Sequence, residues 1–229
     1  MLKVFIGYDP KESIAWHVHA HSIYSRSSIP ISIIPLNLNN LKKIYNRPID
    51  PKQTNLFSFS RFLSPYLSDF DGFSVYFDCD MLMQVDIAEL LIEAEINPGK
   101  AVYVVKHDYE PKDSSKYLGT KQLKYPRKNW SSMILWDCGH KSNACLTADY
   151  VEKSSPMHLH RFLWLKDEEI GELDKRWNWL IGEYDSPPKN VANIHWTLGG
   201  PYFNDYADAD CADLWNKEKD KMLFCEQIK

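Results

Sequence analysis

Two carboxylates close an apolar stretch near the middle of the chain. Residues 73–77 (Phe-Ser-Val-Tyr-Phe) are mostly β-branched or aromatic, which predicts a buried strand, and Asp78 and Asp80 follow it directly. Because side chains alternate along an extended chain, both aspartates point to one face and Cys79 points to the other. Paired carboxylate oxygens suit Mg²⁺ or Mn²⁺, which leave their remaining coordination positions to water and substrate phosphates. We therefore take this pair as the first candidate for a metal site.

The same Asp-x-Asp spacing occurs twice more in the sequence. Asp69 and Asp71 lie in a polar turn that contains glycine, and Asp208 and Asp210 lie in an acidic run near the C-terminus. Neither pair ends an apolar strand, so we expect both to be solvated loops. For residues 73–80 themselves, a strand that simply runs into an acidic turn is the alternative that these residues leave open.

Composition limits the classes of partner and compartment. The 229 residues carry a formal net charge of −4 with a pI near 6.1, and lysine and arginine do not cluster. These values argue against nucleic acid as a partner. The five cysteines form no Cys-x-x-Cys pair, which favours a reducing compartment. No apolar run approaches the roughly 20 residues of a membrane span, and the N-terminus does not resemble a signal peptide, so we expect a cytoplasmic protein.

Strand and helix patterns alternate through the first 150 residues. This order predicts a single α/β domain whose central sheet is mainly parallel and has helices on both faces. The predicted strands cover residues 2–7, 29–36, 73–77, 101–106, 131–137 and 191–196. The predicted helices cover residues 13–25 (capped by Ser13), 57–67, 87–96 (capped by Asp86) and 143–153. Ligands of open α/β sheets bind at the carboxyl ends of the strands, which is where Asp78 and Asp80 are expected to lie.

Five segments in this order resemble a known family. They are the apolar first strand, Phe59-Ser-Arg-Phe62, Val75-Tyr-Phe-Asp-Cys-Asp80, Asp86-Ile-Ala-Glu-Leu90 and His195-Trp-Thr-Leu-Gly-Gly-Pro201. The set is similar to the GT-A-fold glycosyltransferases related to family 8, the glycogenin and galactosyltransferase type. The resemblance covers residues 1–203, which we expect to form the glycosyltransferase-like domain, with residues 204–229 as a C-terminal extension.

The resemblance implies roles for four residues in metal and donor binding. Asp78, Asp80 and His195 would bind Mn²⁺ or Mg²⁺, which holds the diphosphate of a nucleoside diphosphate sugar. Arg61 would approach the donor and join Asp78 and Asp80 as a catalytic residue, and an anion near Arg61 would explain a cation at a helix start. From the residues alone, His195 reads more simply as a hydrogen-bonded core histidine.

Further residues are implied to bind the rest of the donor. Tyr8 and Asp9, after the first strand, resemble the family's nucleotide-base site. Gly199 and Gly200 would let backbone N–H groups approach the phosphate oxygens.

The implied activity is that of a metal-dependent hexosyltransferase. It would transfer a sugar from a nucleoside diphosphate sugar, with UDP as the expected nucleotide, to a glycan or another small hydroxyl acceptor, with retention of anomeric configuration. The sequence departs from the family at Trp130-Ser-Ser132, where Asn-Ala-Gly is usual, and at Pro201-Tyr202, where a lysine is common. Three further aspartates remain candidates for sugar contacts: Asp137, Asp174 and Asp185.

Two other functions remain open at this point. The first is a non-catalytic nucleotide- or glycan-binding module of the same fold, which the departures from the family pattern make plausible. The second is a haloacid-dehalogenase-type phosphatase, which also places Asp-x-Asp after an apolar strand. That class expects the motif near the start of its core and Thr or Val two residues after the second Asp, whereas Leu82 stands there in this chain.

Overall fold

The computed structural model describes residues 1–50, 53–108, 126–185 and 187–224. Within these ranges the chain forms an α/β fold with two sheets. The strands are β1 (Leu2–Gly7), β2 (Ile31–Leu36), β3 (Phe73–Phe77), β4 (Met81–Met83), β5 (Val102–Val104), β6 (Met133–Asp137), β7 (Ile170–Glu172), β8 (Trp179–Leu180) and β9 (Asn193–His195). The α-helices are α1 (Ser13–Tyr24), α2 (Leu38–Leu41), α3 (Ser64–Leu67), α4 (Ala88–Glu95), α5 (Ala148–Lys153), α6 (Pro156–His160) and α7 (Ala212–Leu223).

The large sheet has six strands in the order β2-β1-β3-β6-β5-β7. Strand β1 pairs in parallel with both β2 and β3, and β5 pairs in parallel with β7. Strand β6 is antiparallel to its neighbours β3 and β5, so the other five strands share one direction. The prediction of a mainly parallel central sheet is therefore confirmed.

Strand β3 occupies the middle of this sheet because its side chains are apolar on both faces. Residues 74–77 are fully buried, and they pair with β1 on one side and β6 on the other. Continuous apolar runs are typical of strands covered on both faces. Strand β2, which follows Pro30 and contains Pro35 near its end, lies at the sheet edge, as the prolines predict.

A second, three-stranded sheet in the order β4-β9-β8 continues the central strand. Strand β9 pairs antiparallel with β4, and His195 lies opposite Met81. The predicted strand at residues 191–196 therefore exists, but it joins this small sheet and not the large one. Strands β4, β7 and β8 were not predicted, because two or three residues are too short to show a periodic pattern.

Several helical segments are shorter than predicted. The region 57–67 forms a 3₁₀ turn (Ser60–Leu63) followed by α3, and the region 143–153 begins as a 3₁₀ turn before α5. The Ser13 cap is wrong: Asp9 caps the short 3₁₀ turn that leads into α1 by accepting from the Lys11 N–H. The Asp86 cap is present, since its Oδ1 accepts from Ala88 N at 2.9 Å.

The C-terminal helix α7 packs on α1. The buried carboxylate of Glu218 accepts from Arg26 through two N–H groups, at 3.1 and 2.7 Å, and lies 2.6 Å from His21 Nδ1. Trp215 of α7 is buried beside Trp196, in a small apolar cluster separate from the main core.

The described residues can be compared with the sequence in two further respects, the length of the apolar helices and the state of the cysteines. No helix among the described residues is long and apolar enough to cross a membrane. The four cysteines in the described ranges are all free thiols, and Cys225 lies outside those ranges.

Candidate functional site

The carboxyl end of β3 carries Asp78 and Asp80 into a largely buried position. The two residues are 8% and 9% exposed, so they line the base of a site without being sealed from solvent. The Asp78 backbone N–H donates to the Ser132 carbonyl oxygen at 2.9 Å, which ties the end of β3 to the segment before β6. The backbone, not only the side chains, therefore fixes where the carboxylates lie.

Two neighbours hold the Asp78 carboxylate from one side. Arg61 Nη1 lies 3.0 Å from Asp78 Oδ1, and the Tyr76 hydroxyl donates to the same oxygen at 2.5 Å. Arg61 is itself only 5% exposed and also donates to the Ser131 carbonyl oxygen at 2.7 Å. The anion that the sequence predicted beside Arg61 is thus present as Asp78.

Burial is the largest influence on the Asp78 carboxyl group and raises its pKa. The guanidinium of Arg61 opposes this effect, and the nearby Asp80 carboxylate adds to it. An ionised pair of aspartates at this depth is therefore costly unless a cation lies close by, and Arg61 provides one positive charge against two carboxylates.

His195 completes the cluster from the opposite strand of the small sheet. Its Nε2 lies 3.3 Å from Asp80 Oδ1, and one ligand atom from each of Asp78, Asp80 and His195 lies within 4.8 Å of the others. The ring is 1% exposed. Two carboxylate oxygens and one imidazole nitrogen form a donor set that suits a divalent ion such as Mn²⁺. The residues present therefore fit the cation that the sequence implied.

Asn178 was missed as a functional residue by sequence reasoning. Its Oδ1 lies 2.8 Å from His195 Nδ1, on the side of the ring away from Asp80, and it is fully buried. No sequence pattern indicates the contact with His195, because the two residues lie 17 positions apart along the chain.

Tyr8 and Asp9 lie at the carboxyl end of β1, beside the end of β3. The Asp9 carboxylate is buried and accepts from Lys11 N and Leu56 N, each at 3.0 Å. These two hydrogen bonds connect the turn after β1 to the segment that contains Leu56. Tyr8 is half-buried, with its ring edge-on to Trp16 at 6.3 Å between centroids.

Gly199 and Gly200 follow β9 in a tight turn. Gly199 has φ 139°, and a Cβ there would lie 2.7 Å from the Tyr206 ring. A Cβ on Gly200 would lie 2.4 Å from the Tyr202 ring, so both positions require glycine for close packing. The Gly199 N–H donates to the Trp196 carbonyl oxygen at 2.9 Å, and this hydrogen bond stabilises the turn itself.

Asp137, a candidate sugar contact, lies at the opposite end of β3 from the Asp78–Asp80–His195 cluster. It pairs with Phe73, at the amino end of β3, because β6 is antiparallel. About 17 Å of strand separates this position from Asp78. The Asp174 carboxylate accepts from Arg176 N at 2.8 Å and caps the turn that follows it.

The other two Asp-x-Asp pairs are exposed, as predicted. Asp69 and Asp71 lie in the turn before β3, where Asp69 adopts a positive φ of 56°. Asp208 and Asp210 lie in the exposed loop before α7.

Two buried histidines lie near the cluster and remain neutral. Burial lowers the pKa of His19 to about 3, and its ring packs edge-on against Phe77 at 5.3 Å. Burial likewise lowers the pKa of His107 to about 3, with a further contribution from His195. His107 Nδ1 lies 2.7 Å from the Tyr184 hydroxyl. Asp80 and His195 thus lie in a buried region of low dielectric, where the charge of a bound cation would be screened little.

The fold defines a GT-A-type protein. The structure superposes on the bifunctional glycosyltransferase WbbM with a TM-score of 0.64 and 14% identity, over 95% of this chain and 49% of that one. It superposes on the galactosyltransferase LgtC, in complex with donor and acceptor sugar analogues, with a TM-score of 0.59 and 12% identity, over 99% and 98% of the two chains. For the glycosyltransferase GlyE of Streptococcus pneumoniae the TM-score is 0.60. This chain spans about half of the WbbM chain.

A curated relative defines the family more narrowly. The chain is 43% identical over 225 residues to Protein CDI of Arabidopsis thaliana, which covers 96% of this chain and 86% of that protein. The chain therefore belongs to the Protein CDI family. No protein-family model matches the sequence.

Proposed function

We propose that the protein is a divalent-cation-dependent glycosyltransferase that uses a nucleoside diphosphate sugar. The observation that carries the proposal is the convergence of Asp78, Asp80 and His195 at the carboxyl end of the central strand of a GT-A fold. Hexosyl transfer from a UDP-sugar to a glycan or other hydroxyl acceptor, with retention, is the specific activity we propose from the family resemblance.

Asp78, Asp80 and His195 would hold the cation, Mn²⁺ or Mg²⁺. When bound, the ion would supply Lewis-acid stabilisation of the negative charge that develops on the diphosphate. Imidazole suits Mn²⁺ better than Mg²⁺, which prefers oxygen ligands, so Mn²⁺ is our first choice.

Arg61 has a positioning role in this proposal. Its Nη1 contacts both Asp78 and the Ser131 carbonyl oxygen, so it orients the carboxylate and favours its charged form. Tyr76 supports the same orientation by donating to Asp78 Oδ1. A carboxylate that is already oriented needs little reorganisation when it binds a cation.

The ends of two strands provide the proposed donor site. Tyr8 and Asp9 at the end of β1 lie on the proposed nucleotide-base side, and the Gly199-Gly200 turn after His195 lies on the proposed phosphate side. A side chain at either glycine would meet the ring of Tyr206 or Tyr202, so the two glycines keep this turn compact.

The test is turnover of nucleoside diphosphate sugars by the purified chain, with Mn²⁺, with Mg²⁺ and with EDTA. A thermal-shift screen of UDP-, GDP- and ADP-sugars with Mn²⁺ first selects the donor, and release of the nucleoside diphosphate is then measured. We expect donor-dependent release that EDTA abolishes.

Three results would contradict the proposal in different ways. Full activity in EDTA would exclude the role of the cation. Tight Mn²⁺-dependent binding of a nucleotide sugar, without turnover against a panel of acceptors, would instead favour a non-catalytic binding module. Release of phosphate from phosphomonoesters would favour the phosphatase alternative.

A further inference from the structure

We propose that Asn178 is a positioning residue that fixes the tautomer of His195, so that Nε2 presents its lone pair to the cation site. The inference rests on the metal-ligand set proposed above. It assigns to Asn178 a role that the sequence did not show. The property concerned is the affinity of the chain for a divalent ion in the absence of a nucleotide sugar.

The inference starts from three buried side chains in series. His195 Nδ1 lies 2.8 Å from Asn178 Oδ1, and Asn178 Nδ2 donates to Ser132 Oγ at 2.8 Å. Ser132 Oγ in turn donates to the Asn129 carbonyl oxygen at 2.7 Å. Asn178 is fully buried, Ser132 is 4% exposed and His195 is 1% exposed.

The direction of each hydrogen bond follows from the last one. A backbone carbonyl oxygen can only accept, so the single Ser132 hydroxyl hydrogen is used on Asn129. Ser132 Oγ must then accept from Asn178, which orients the amide nitrogen towards Ser132 and the amide oxygen towards His195.

The amide oxygen then determines the protonation of the imidazole. Asn178 Oδ1 accepts only, so His195 Nδ1 carries the hydrogen. A neutral imidazole has one N–H, and Nε2 is therefore the nitrogen with the lone pair. Nε2 is also the atom that lies 3.3 Å from Asp80 Oδ1, within the proposed ligand set. Metal-bound histidines commonly donate their second N–H to such an acceptor.

Ser132 links this series to the other side of the site. Its carbonyl oxygen accepts from the Asp78 backbone N–H at 2.9 Å, while its hydroxyl group orients Asn178. One residue thus positions an aspartate through its backbone and the histidine through its side chain. The Trp130-Ser-Ser132 segment, which departs from the family pattern, is where this connection is made.

Asn178→Leu tests the role, with Mn²⁺ alone as the probe. The substitution keeps a side chain of similar size but removes the acceptor, and we expect Mn²⁺ affinity to fall about 10- to 100-fold. Free Mn²⁺ is counted by electron paramagnetic resonance during titration of the chain. Asn178→Asp keeps an oxygen acceptor for Nδ1–H, and we expect it to bind Mn²⁺ within about threefold of the parent or more tightly.

Asn193→Leu is the matched control. Asn193 is a second fully buried asparagine, on β9 two residues before His195, and its amide donates to Met81 Sδ at 3.1 Å and not to the histidine. We expect its Mn²⁺ affinity to stay within about twofold of the parent. A comparable loss in this variant would show that any buried leucine here disturbs the site, and it would overturn the inference.

The double variant separates positioning from a general structural role. In a His195→Ala background, Asn178→Leu should cause no further loss of Mn²⁺ affinity, since the ring that it orients is gone. Equal affinity of Asn178→Leu and the parent, or an undiminished loss in the His195→Ala background, would overturn the inference.

A second variant covers the case in which Asn178→Leu does not fold. Ser132→Ala removes the hydroxyl group that orients the amide but keeps the backbone contact to Asp78, and we expect a loss of about 3- to 10-fold. Parent-like affinity in Ser132→Ala would then overturn the inference. If the parent chain itself binds no Mn²⁺, this inference and the proposed function both fail, whereas loss of the Asn178 effect alone leaves the proposed function standing.

Discussion

Strand β3 has an aspartate pair at each end, and the surroundings of the two pairs are opposite. Asp78 and Asp80 at the carboxyl end are buried, and they contact Arg61, Tyr76 and His195. At the amino end, Asp69 and Asp71 are exposed in a turn. The spacing of the carboxylates is the same in both pairs.

The difference shows that the end of the strand matters more than the motif. At the carboxyl end, β1 and β3 finish side by side, and β4 brings β9 with His195 alongside. At the amino end, the antiparallel β6 finishes with Asp137. Because the segments at the carboxyl end bury Asp78 and Asp80, these carboxylates lose water and gain specific partners, while Asp69 and Asp71 at the other end stay exposed.

The prediction with the largest expected effect tests this difference between the two ends of β3. Asp80→Asn should lower Mn²⁺ affinity by about 100-fold or more and abolish turnover, since one charged ligand is lost. Asp71→Asn, the same change at the other end of β3, should leave both quantities unchanged. Both variants are compared by Mn²⁺ titration and by nucleoside diphosphate release. Equal effects of the two substitutions would show that the ends of β3 do not differ in function.

A second test concerns the ion pair at the buried end. Arg61→Ala leaves the Asp78 carboxylate without its nearest cation, and removing one partner of a buried pair costs about 3 kcal/mol or more of unfolding free energy. The control is Lys153→Ala, which breaks an exposed pair with Asp149 and should change the unfolding free energy far less, because solvent screens exposed charges. Urea denaturation in EDTA measures both. A small loss for Arg61→Ala would mean that Asp78 is protonated or solvated.

A third test uses pH. The pKa of His19 is lowered to about 3 by burial, whereas the unfolded chain has an ordinary histidine pKa near 6.5. Below about pH 6.5 the unfolded state binds a proton that the folded state does not, so stability falls as the pH drops towards 3. At pH 5 the loss amounts to about 2 kcal/mol.

His19→Leu should remove that part of the acid sensitivity. The two ring nitrogens of His19 have no hydrogen-bond partner among the described residues, so replacing the ring with leucine removes no hydrogen bond. Urea denaturation at pH 7 and pH 5 gives the change for the parent and the variant. His17→Gln, at an exposed position on the same helix, is the control. An unchanged pH dependence in His19→Leu would show that His19 is protonated in the folded state.

The prediction with the smallest expected effect concerns the hydrogen bond from Tyr76 to Asp78 at the buried end of β3. Tyr76→Phe removes the hydrogen bond to Asp78 Oδ1. A hydrogen bond to a charged group usually contributes about 1.5 to 3 kcal/mol to the unfolding free energy. We expect a loss at the lower end of this range, because Arg61 still contacts Asp78 in the variant. Tyr24→Phe, at an exposed position on α1, should change it by less than about 0.5 kcal/mol. A loss for Tyr76→Phe no larger than that of the control would mean that Arg61 alone fixes Asp78.

Some features of the fold follow from the sequence by itself. The apolar runs of β1 and β3 are long enough to define strands, and the prolines of β2 mark an edge. The position of Asp78 and Asp80 after an apolar run distinguished them from the exposed pairs. These signals are local, and residues close in sequence carry them whatever the rest of the chain does.

The tertiary structure alone decided which distant residues meet. The sequence cannot show that β6 is antiparallel, because strand direction depends on the path of the chain between strands, and this is why Asp137 lies at the wrong end of the sheet. The Asn178–His195 contact and the Arg61–Asp78 pair likewise join residues 17 positions apart. Such contacts arise from packing and hydrogen bonding in the buried interior, where every polar group needs a partner. The sequence alone therefore singled out the two carboxylates as a candidate site, and only the fold shows which residues hold them in place.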